Sequence, residues 1–184
     1  MKKSMAITDR EWYLLNTAKI WLLGIAHQGG RLLENQKQQH SAMQTMTSQI
    51  AMNSQQFLVL RDLRIVEEHL FITCISKAID WLEEVENIKP ELSSDIDVFI
   101  RSFPEAKDLR NMREHDIDYF KGQGRAQSRF VKTLGNITIE GSASISYKDG
   151  YLIGGRVNVQ QAMKAAEKLF PKIEKAVLAI HDID

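Results

Sequence analysis

The chain has 184 residues, 43% of them apolar and 26% charged, with 24 basic residues balancing 24 acidic ones. That length and composition suit a globular chain that folds without a disulfide or metal staple. Zero net charge excludes a polycation that holds nucleic acid by bulk charge, though not a local basic patch. The single cysteine, Cys74, excludes both a disulfide framework within one chain and a cysteine-based zinc site.

The opening MKKSMAITDREWY starts with two lysines, but Asp9, Arg10 and Glu11 stand where a signal peptide needs its apolar core. The longest apolar stretch, Tyr13 to Ala26, is broken by Asn16, Thr17 and Lys19 and is too short to span a bilayer. The expectation is a cytoplasmic chain with no membrane contact, forming one helical-bundle domain over residues 1–184. Thr8 and Glu11 have capping-box spacing, so the first helix is expected to begin near Thr8. Leu14, Ala18, Trp21, Leu22 and Ile25 form its apolar stripe, and Gly29-Gly30 is its expected stop. Residues 35–56 contain seven glutamines and no proline, and read either as a polar helix or as a connector, with Met43, Met46, Ile50 and Met52 as a thin stripe. Phe57 to Val85 has no Gly or Pro and is the strongest helix. Leu60, Leu63, Leu70, Cys74, Ala78, Leu82 and Val85 hold core spacing along it. Its second half is apolar nearly all round, which places it at the centre of a bundle.

Lys89-Pro90 ends that helix. A short helix from Ser94 to Ser102 follows. Pro104 then suits the first position of a helix running to about Lys121, with Gly122 and Gly124 at its exit. Asn136 to Tyr147 switches to an alternating strand pattern, Asp149-Gly150 is a two-residue hairpin signal, and Tyr151 to Val157 is the return strand. Residues 134–158 are thus one β-hairpin elaboration. Asn158 caps a last helix to about Ile180, which Pro171 is expected to kink or split. The fold class is mainly α: an antiparallel helical bundle with one hairpin inserted before the C-terminal helix.

Chemistry concentrates between Leu109 and Gly124. Six basic residues fall between Lys107 and Arg129 against four acidic ones. Asn111 and His115 are four apart and share a helix face, whereas Arg110 and His115 lie about 140° apart around the helix and about 7.5 Å apart along it. One helix therefore makes a poor clamp, and two copies across a twofold axis would pool two Arg and two His. Imidazole suits proton transfer near neutral pH, and guanidinium offers a planar fork for phosphate oxygens. Together they suit metal-free cleavage of an RNA phosphodiester, whose nucleophile is the substrate's own 2′-hydroxyl. Arg110 and His115 are the candidate catalytic residues. Asn111, Arg113, Glu114, Lys121 and Arg125 are the candidate substrate contacts. No metal and no cofactor are expected.

Plainer readings compete at each position. Arg110 and Glu114 have the spacing of a surface ion pair, and Arg113 suits a pair with Asp116 or Glu114. His115 could be a hydrogen-bonded bundle histidine. Tyr119 and Phe120 read as core or interface residues, or as base-stacking platforms. Cys74 reads as a small core residue, His69 as structural, and Gly122, Gly124, Gly154 and Gly155 as turns. Arg64 and His69 repeat the Arg-to-His spacing, but without a polar residue after the arginine.

Arg-Asn-x3-His within LRNMREHDIDYF resembles the HEPN superfamily, whose signature is Arg, a polar residue and then His. The resemblance implies a helical, usually dimeric bundle and a metal-independent endoribonuclease of the kind found in toxin–antitoxin, abortive-infection and other defence systems. Arg110, Asn111 and His115 are its signature residues. It covers roughly residues 57–121 as helices and 109–124 as motif; the Gln-rich stretch and the hairpin lie outside the common core. The expected partners are RNA, a second copy of the chain, and an antitoxin or other protein. Two alternatives remain: a non-catalytic dimeric module that binds a nucleotide, RNA or protein, and an antitoxin or assembly subunit that docks through residues 35–56.

Overall fold

In a computed structural model the described residues are 7–45, 54–147 and 150–181. Among them are six α-helices: α1 Ile7–Thr45, α2 Gln55–Glu86, α3 Ser93–Ser102, α4 Ala106–Glu114, α5 Asp116–Phe120 and α6 Val159–His181. Five short strands accompany them: β1 Val131–Leu134, β2 Ile137–Glu140, β3 Ser144–Tyr147, β4 Gly150–Ile153 and β5 Val157–Asn158. The protein is mainly helical with two small antiparallel sheets, β1-β2 and β3-β4-β5. No helix among the described residues is long and apolar enough to cross a membrane.

The core is the meeting of three helical stripes. Leu15, Ala18, Leu22, Ile25 and Leu32 of α1 recur at three-, four- and seven-residue steps and are almost fully buried. They meet Phe71, Ile75, Leu82 and Val85 of α2 and Val159, Ala162, Ala166, Leu169 and Ile173 of α6. Each large side chain so buried contributes about 1.5–3 kcal/mol. Close approaches run in opposite directions along the first two helices: Gly24 lies against Cys74, Gly29 against Phe71, Arg31 against Glu67 and Asn35 against Leu60. The α1–α2 pair is therefore an antiparallel hairpin. It keeps Ala78, Leu82 and Val85 in the core as expected, but Leu63 and Leu70 stay half-exposed because no described element covers that side of α2.

Gly29 and Gly30 do not stop α1, which continues to Thr45 and takes in the first part of the Gln-rich stretch. The reason at Gly29 is packing. A Cβ there would lie 2.6 Å from Met163 Cγ and 2.9 Å from Phe71 Cε2, so the glycine lets α6 and α2 approach the α1 backbone. Residues 35–45 are helical; Met46, Ile50 and Met52 fall outside the described residues. Buried Asn35 and Gln39 both donate to the Leu60 carbonyl at 3.1 Å, which fastens the polar end of α1 to α2.

The last third also departs from expectation. Pro104 lies in a turn, and α4 starts two residues later. The expected single helix to Lys121 is broken at His115, whose φ of −116° and ψ of 34° separate α4 from α5. The expected single hairpin is two sheets. Gly135, at φ 59°, turns β1 into β2 with Leu134 opposite Ile137. The predicted long strand is interrupted at Gly141-Ser142, whose carbonyls accept from Arg113 at 3.2 and 3.1 Å rather than from a neighbouring strand. The return strand is likewise cut at Gly154 and Gly155, both at positive φ, so that β5 doubles back on β4. Asn158 caps the last helix as expected, its Oδ1 accepting from Gln161 N at 2.9 Å. Pro171 lies inside α6 and does not split it.

The two adjacent glycines of α1 make a paired test. A Cβ at Gly30 meets nothing within 4 Å, so Gly30→Ala is expected to stabilise by about 0.4–1 kcal/mol through helix propensity. Gly29→Ala is expected to destabilise by about 1–3 kcal/mol through overpacking. Chemical denaturation measures both, and equal effects would remove the packing account of Gly29.

Candidate functional site

The candidate residues separate into a buried group and an exposed one. Arg113, read from the sequence as a substrate contact or as a partner of Asp116 or Glu114, pairs with Glu68 instead. Its guanidinium turns inward from α4, and Nη2 donates to Glu68 Oε2 at 2.8 Å, with the side chains 5% and 2% exposed. Glu68 is the hub of this network. Ser144 Oγ donates to Oε2 at 2.7 Å, Tyr151 Oη donates to Oε1, and Arg64 Nε lies 3.4 Å from Oε1. Desolvating a carboxylate is costly unless it is paired and fully hydrogen-bonded, and these partners meet that condition. Burial pushes the Tyr151 hydroxyl far above its ordinary value, and the neighbouring Glu68 charge pushes it further.

The exposed group surrounds the α4–α5 joint. Arg110 is half-buried on α4; its Nη2 donates to Asn111 Oδ1 at 3.0 Å, and its Nε lies 3.3 Å from Glu114 Oε2. The spacing of Arg110 and Glu114 thus does form an ion pair within the helix. The His115 side chain is 65% exposed, and its one ion-pair contact among the described residues is Asp118, 4.0 Å from Nδ1. The His115 backbone N–H donates to the Asn111 carbonyl at 3.1 Å, but no side-chain hydrogen bond or ion pair among the described residues joins Arg110 or Asn111 to the imidazole. Lys121 and Arg125 are exposed, and their side chains form no ion pair among the described residues. Of the seven candidates, Arg110, Asn111 and Glu114 form one linked cluster; His115, Lys121 and Arg125 stand apart, and Arg113 belongs to the interior.

Tyr119 and Phe120 part company. Tyr119 is buried, stacks on Phe130 with centroids 5.1 Å apart, and accepts from Ala126 N at 3.1 Å through its hydroxyl. Phe120 is 91% exposed. Beside them is a hollow of about 600 Å³ lined by Asp116, Ile117, Tyr119, Phe120, Phe130 and Glu140 among others. Cys74 packs against the core, and burial raises its thiol pKa, which disfavours a thiolate nucleophile. Arg64 and His69, the second pair at this spacing, are not joined: Arg64 leans on Glu68, while the His69 carbonyl accepts from Thr73 Oγ1 at 2.9 Å.

Sequence reasoning missed Glu68. Its signal was present: two carboxylates, Glu67 and Glu68, sit at the edge of the most apolar run in the chain, where buried acids require partners. Glu67 is also buried, with its Oε1 3.1 Å from Arg31 Nη2. Compared with known proteins, the chain matches no family model, no curated protein and no solved structure.

Two predictions follow from the buried network. Glu68→Ala strands Arg113 without its counter-charge and is expected to cost about 3–5 kcal/mol in chemical denaturation, whereas His115→Ala is expected to stay within about 0.5 kcal/mol of the unmutated protein. Tyr151 keeps its proton to higher pH in the folded state than in the unfolded one. Its contribution is therefore complete below the ordinary phenol value of about 10 and is lost as pH rises above it. Stability measured against pH is expected to fall more steeply above about 10 in the unmutated protein than in Tyr151→Phe. Parallel curves would contradict the burial of that hydroxyl.

Proposed function

We propose that this protein is a HEPN-like, metal-independent endoribonuclease whose site forms where two protomers bring together Arg110 and His115. The observation that carries this reading is the α4–α5 joint. It holds an imidazole in solvent, without a buried partner, next to a helix turn whose arginine is oriented by Asn111 and Glu114. Structural histidines of a bundle are enclosed and hydrogen-bonded; His115 is neither.

In this reading an imidazole takes the proton of the RNA 2′-hydroxyl, whose oxygen attacks the adjacent phosphorus. The 5′-oxygen departs with a proton from the second imidazole, leaving a cyclic phosphate and a 5′-hydroxyl end. Arg110 stabilises the charge that develops on the phosphoryl oxygens, exchanging Glu114 for the phosphate. Lys121 and Arg125, both exposed, lie a few residues further on and extend the cationic path for the backbone. The hollow beside Phe120 carries two carboxylates, Asp116 and Glu140, so it suits a base stacked on the ring and disfavours phosphate. This reading uses a pooled site, since no side-chain hydrogen bond or ion pair among the described residues joins Arg110 to His115.

The second reading is a non-catalytic module on the same scaffold. The Arg110–Glu114 pair favours it, because it balances the charge of that guanidinium without substrate. Cleavage of a structured RNA in the presence of EDTA separates the two. The unmutated protein is expected to cut, with Arg110→Ala and His115→Ala each slower by about 100-fold or more. Mixing the two inactive variants is expected to restore part of the activity through mixed dimers. Equal cleavage by unmutated protein and His115→Ala, or a monomer in sedimentation at micromolar concentration, would end the shared-site reading.

A further inference from the structure

A second cleft, of about 420 Å³, opens between the polar end of α1, the start of α2 and strands β3 and β4. Neither Arg110 nor His115 lines it. We propose that it binds a small phosphomonoester, with the phosphate held by Arg64 and Lys37 and with His40 beside them on the rim. The cleft's charge is one-sided: Arg64 and Lys37 line it, and no aspartate or glutamate among the described residues does. Glu68 lies beneath, but its oxygens are taken by Tyr151, Ser144 and Arg113. Counting Glu68 against Arg64 and Arg113 leaves one uncompensated positive charge at the floor.

The donors are also available. Arg64 is 30% exposed along its side chain; its Nε is buried 3.4 Å from Glu68 without hydrogen-bond geometry, and its terminal nitrogens have no partner among the described residues. A planar guanidinium presented this way matches two oxygens of one phosphate. Lys37 and His40 are three residues apart on α1 and therefore neighbours on its surface. Among the described residues Lys37 has one ion-pair partner, Glu34 at 4.0 Å, and His40 Nε2 lies 2.9 Å from Gln44 Nε2. Ser146 Oγ accepts from Gln36 Nε2, which leaves the serine hydroxyl proton free to donate.

The number of cations selects the ligand class. A carboxylate is matched by Arg64 alone, whereas a phosphomonoester dianion uses both Arg64 and Lys37. Leu33, Met43 and Ile145 supply an apolar wall for the rest of the molecule, and the volume falls in the range of small-ligand sites. A nucleoside monophosphate is of suitable size, which makes AMP the probe.

Calorimetric titration of the full chain with AMP, adenosine and inorganic phosphate tests the proposal. AMP is expected to bind saturably at one site per chain, inorganic phosphate to compete with it, and adenosine to give no saturable heat. Arg64→Gln is expected to weaken AMP at least tenfold and Lys37→Gln several-fold. Lys175→Gln, which removes the same charge from the exposed face of α6, is expected to bind as the unmutated protein does. Arg64→Gln leaves Glu68 with three partners, and Lys37→Gln alters an exposed side chain, so melting curves are expected to show both folded. Saturable binding of AMP or phosphate that weakens in the Arg64 and Lys37 variants carries the proposal. Absence of saturable binding for both anions, or affinity that is unchanged in Lys37→Gln and Arg64→Gln, overturns it. RNA cleavage does not enter these readouts, so their outcome is separate from that of the ribonuclease reading.

Discussion

A buried carboxylate with too few partners would unfold the region around it, and Glu68 escapes that fate by collecting side chains from three directions. Arg113 reaches it from α4, Tyr151 from β4 and Ser144 from β3. The same guanidinium takes the carbonyls of Gly141 and Ser142. One ion pair therefore orients α4 on α2, sets where β2 ends and β3 begins, and docks the small sheet on the helices. Low polarity makes each of these bonds stronger and makes the loss of any one costly. Apolar packing of α1, α2 and α6 supplies most of the cohesion, but it has no directional preference. The Glu68 network supplies the direction.

This arrangement shapes the candidate site. With Arg113 drawn inward, α4 presents Arg110 and Asn111 on another side, and Tyr119, six residues after Arg113, is drawn to Phe130. Between these two anchorages the helix breaks at His115 and leaves its ring in solvent. Phe120, the next residue after buried Tyr119, is turned fully outward. The exposure of His115 and Phe120 is thus a consequence of what their neighbours bury. The cationic cleft has a related origin, since Arg64 shares Glu68 with Arg113 and is left with unused donors.

The long helices were legible because their signal is repeated: α1 and α2 show the same spacing over many turns, and the Asn158 cap depends on contacts three residues away. The short elements were not. Gly29 looks like a stop when read alone and becomes a packing site once Met163 and Phe71 are beside it. The alternation from Asn136 to Tyr147 predicts a strand, and the chain does use it as two, but the interruption depends on Arg113, 28 residues from Gly141. In the site, the local Arg110–Glu114 pair was legible from its spacing, whereas the role of Arg113 was not, because its partner is 45 residues away.

The sequence by itself determined the mainly helical class, the α1 and α2 stripes and the clustering of Arg110, Asn111 and Glu114, since each rests on contacts within a few residues along one helix. Only the tertiary structure decided which arginine is buried, where the helix and the strand break, and that a cleft lined by Arg64 and Lys37 lies at the far end of the hairpin. Those outcomes depend on a carboxylate that must be neutralised wherever the fold brings a cation to it. Periodicity along the chain carries no information about which cation that is.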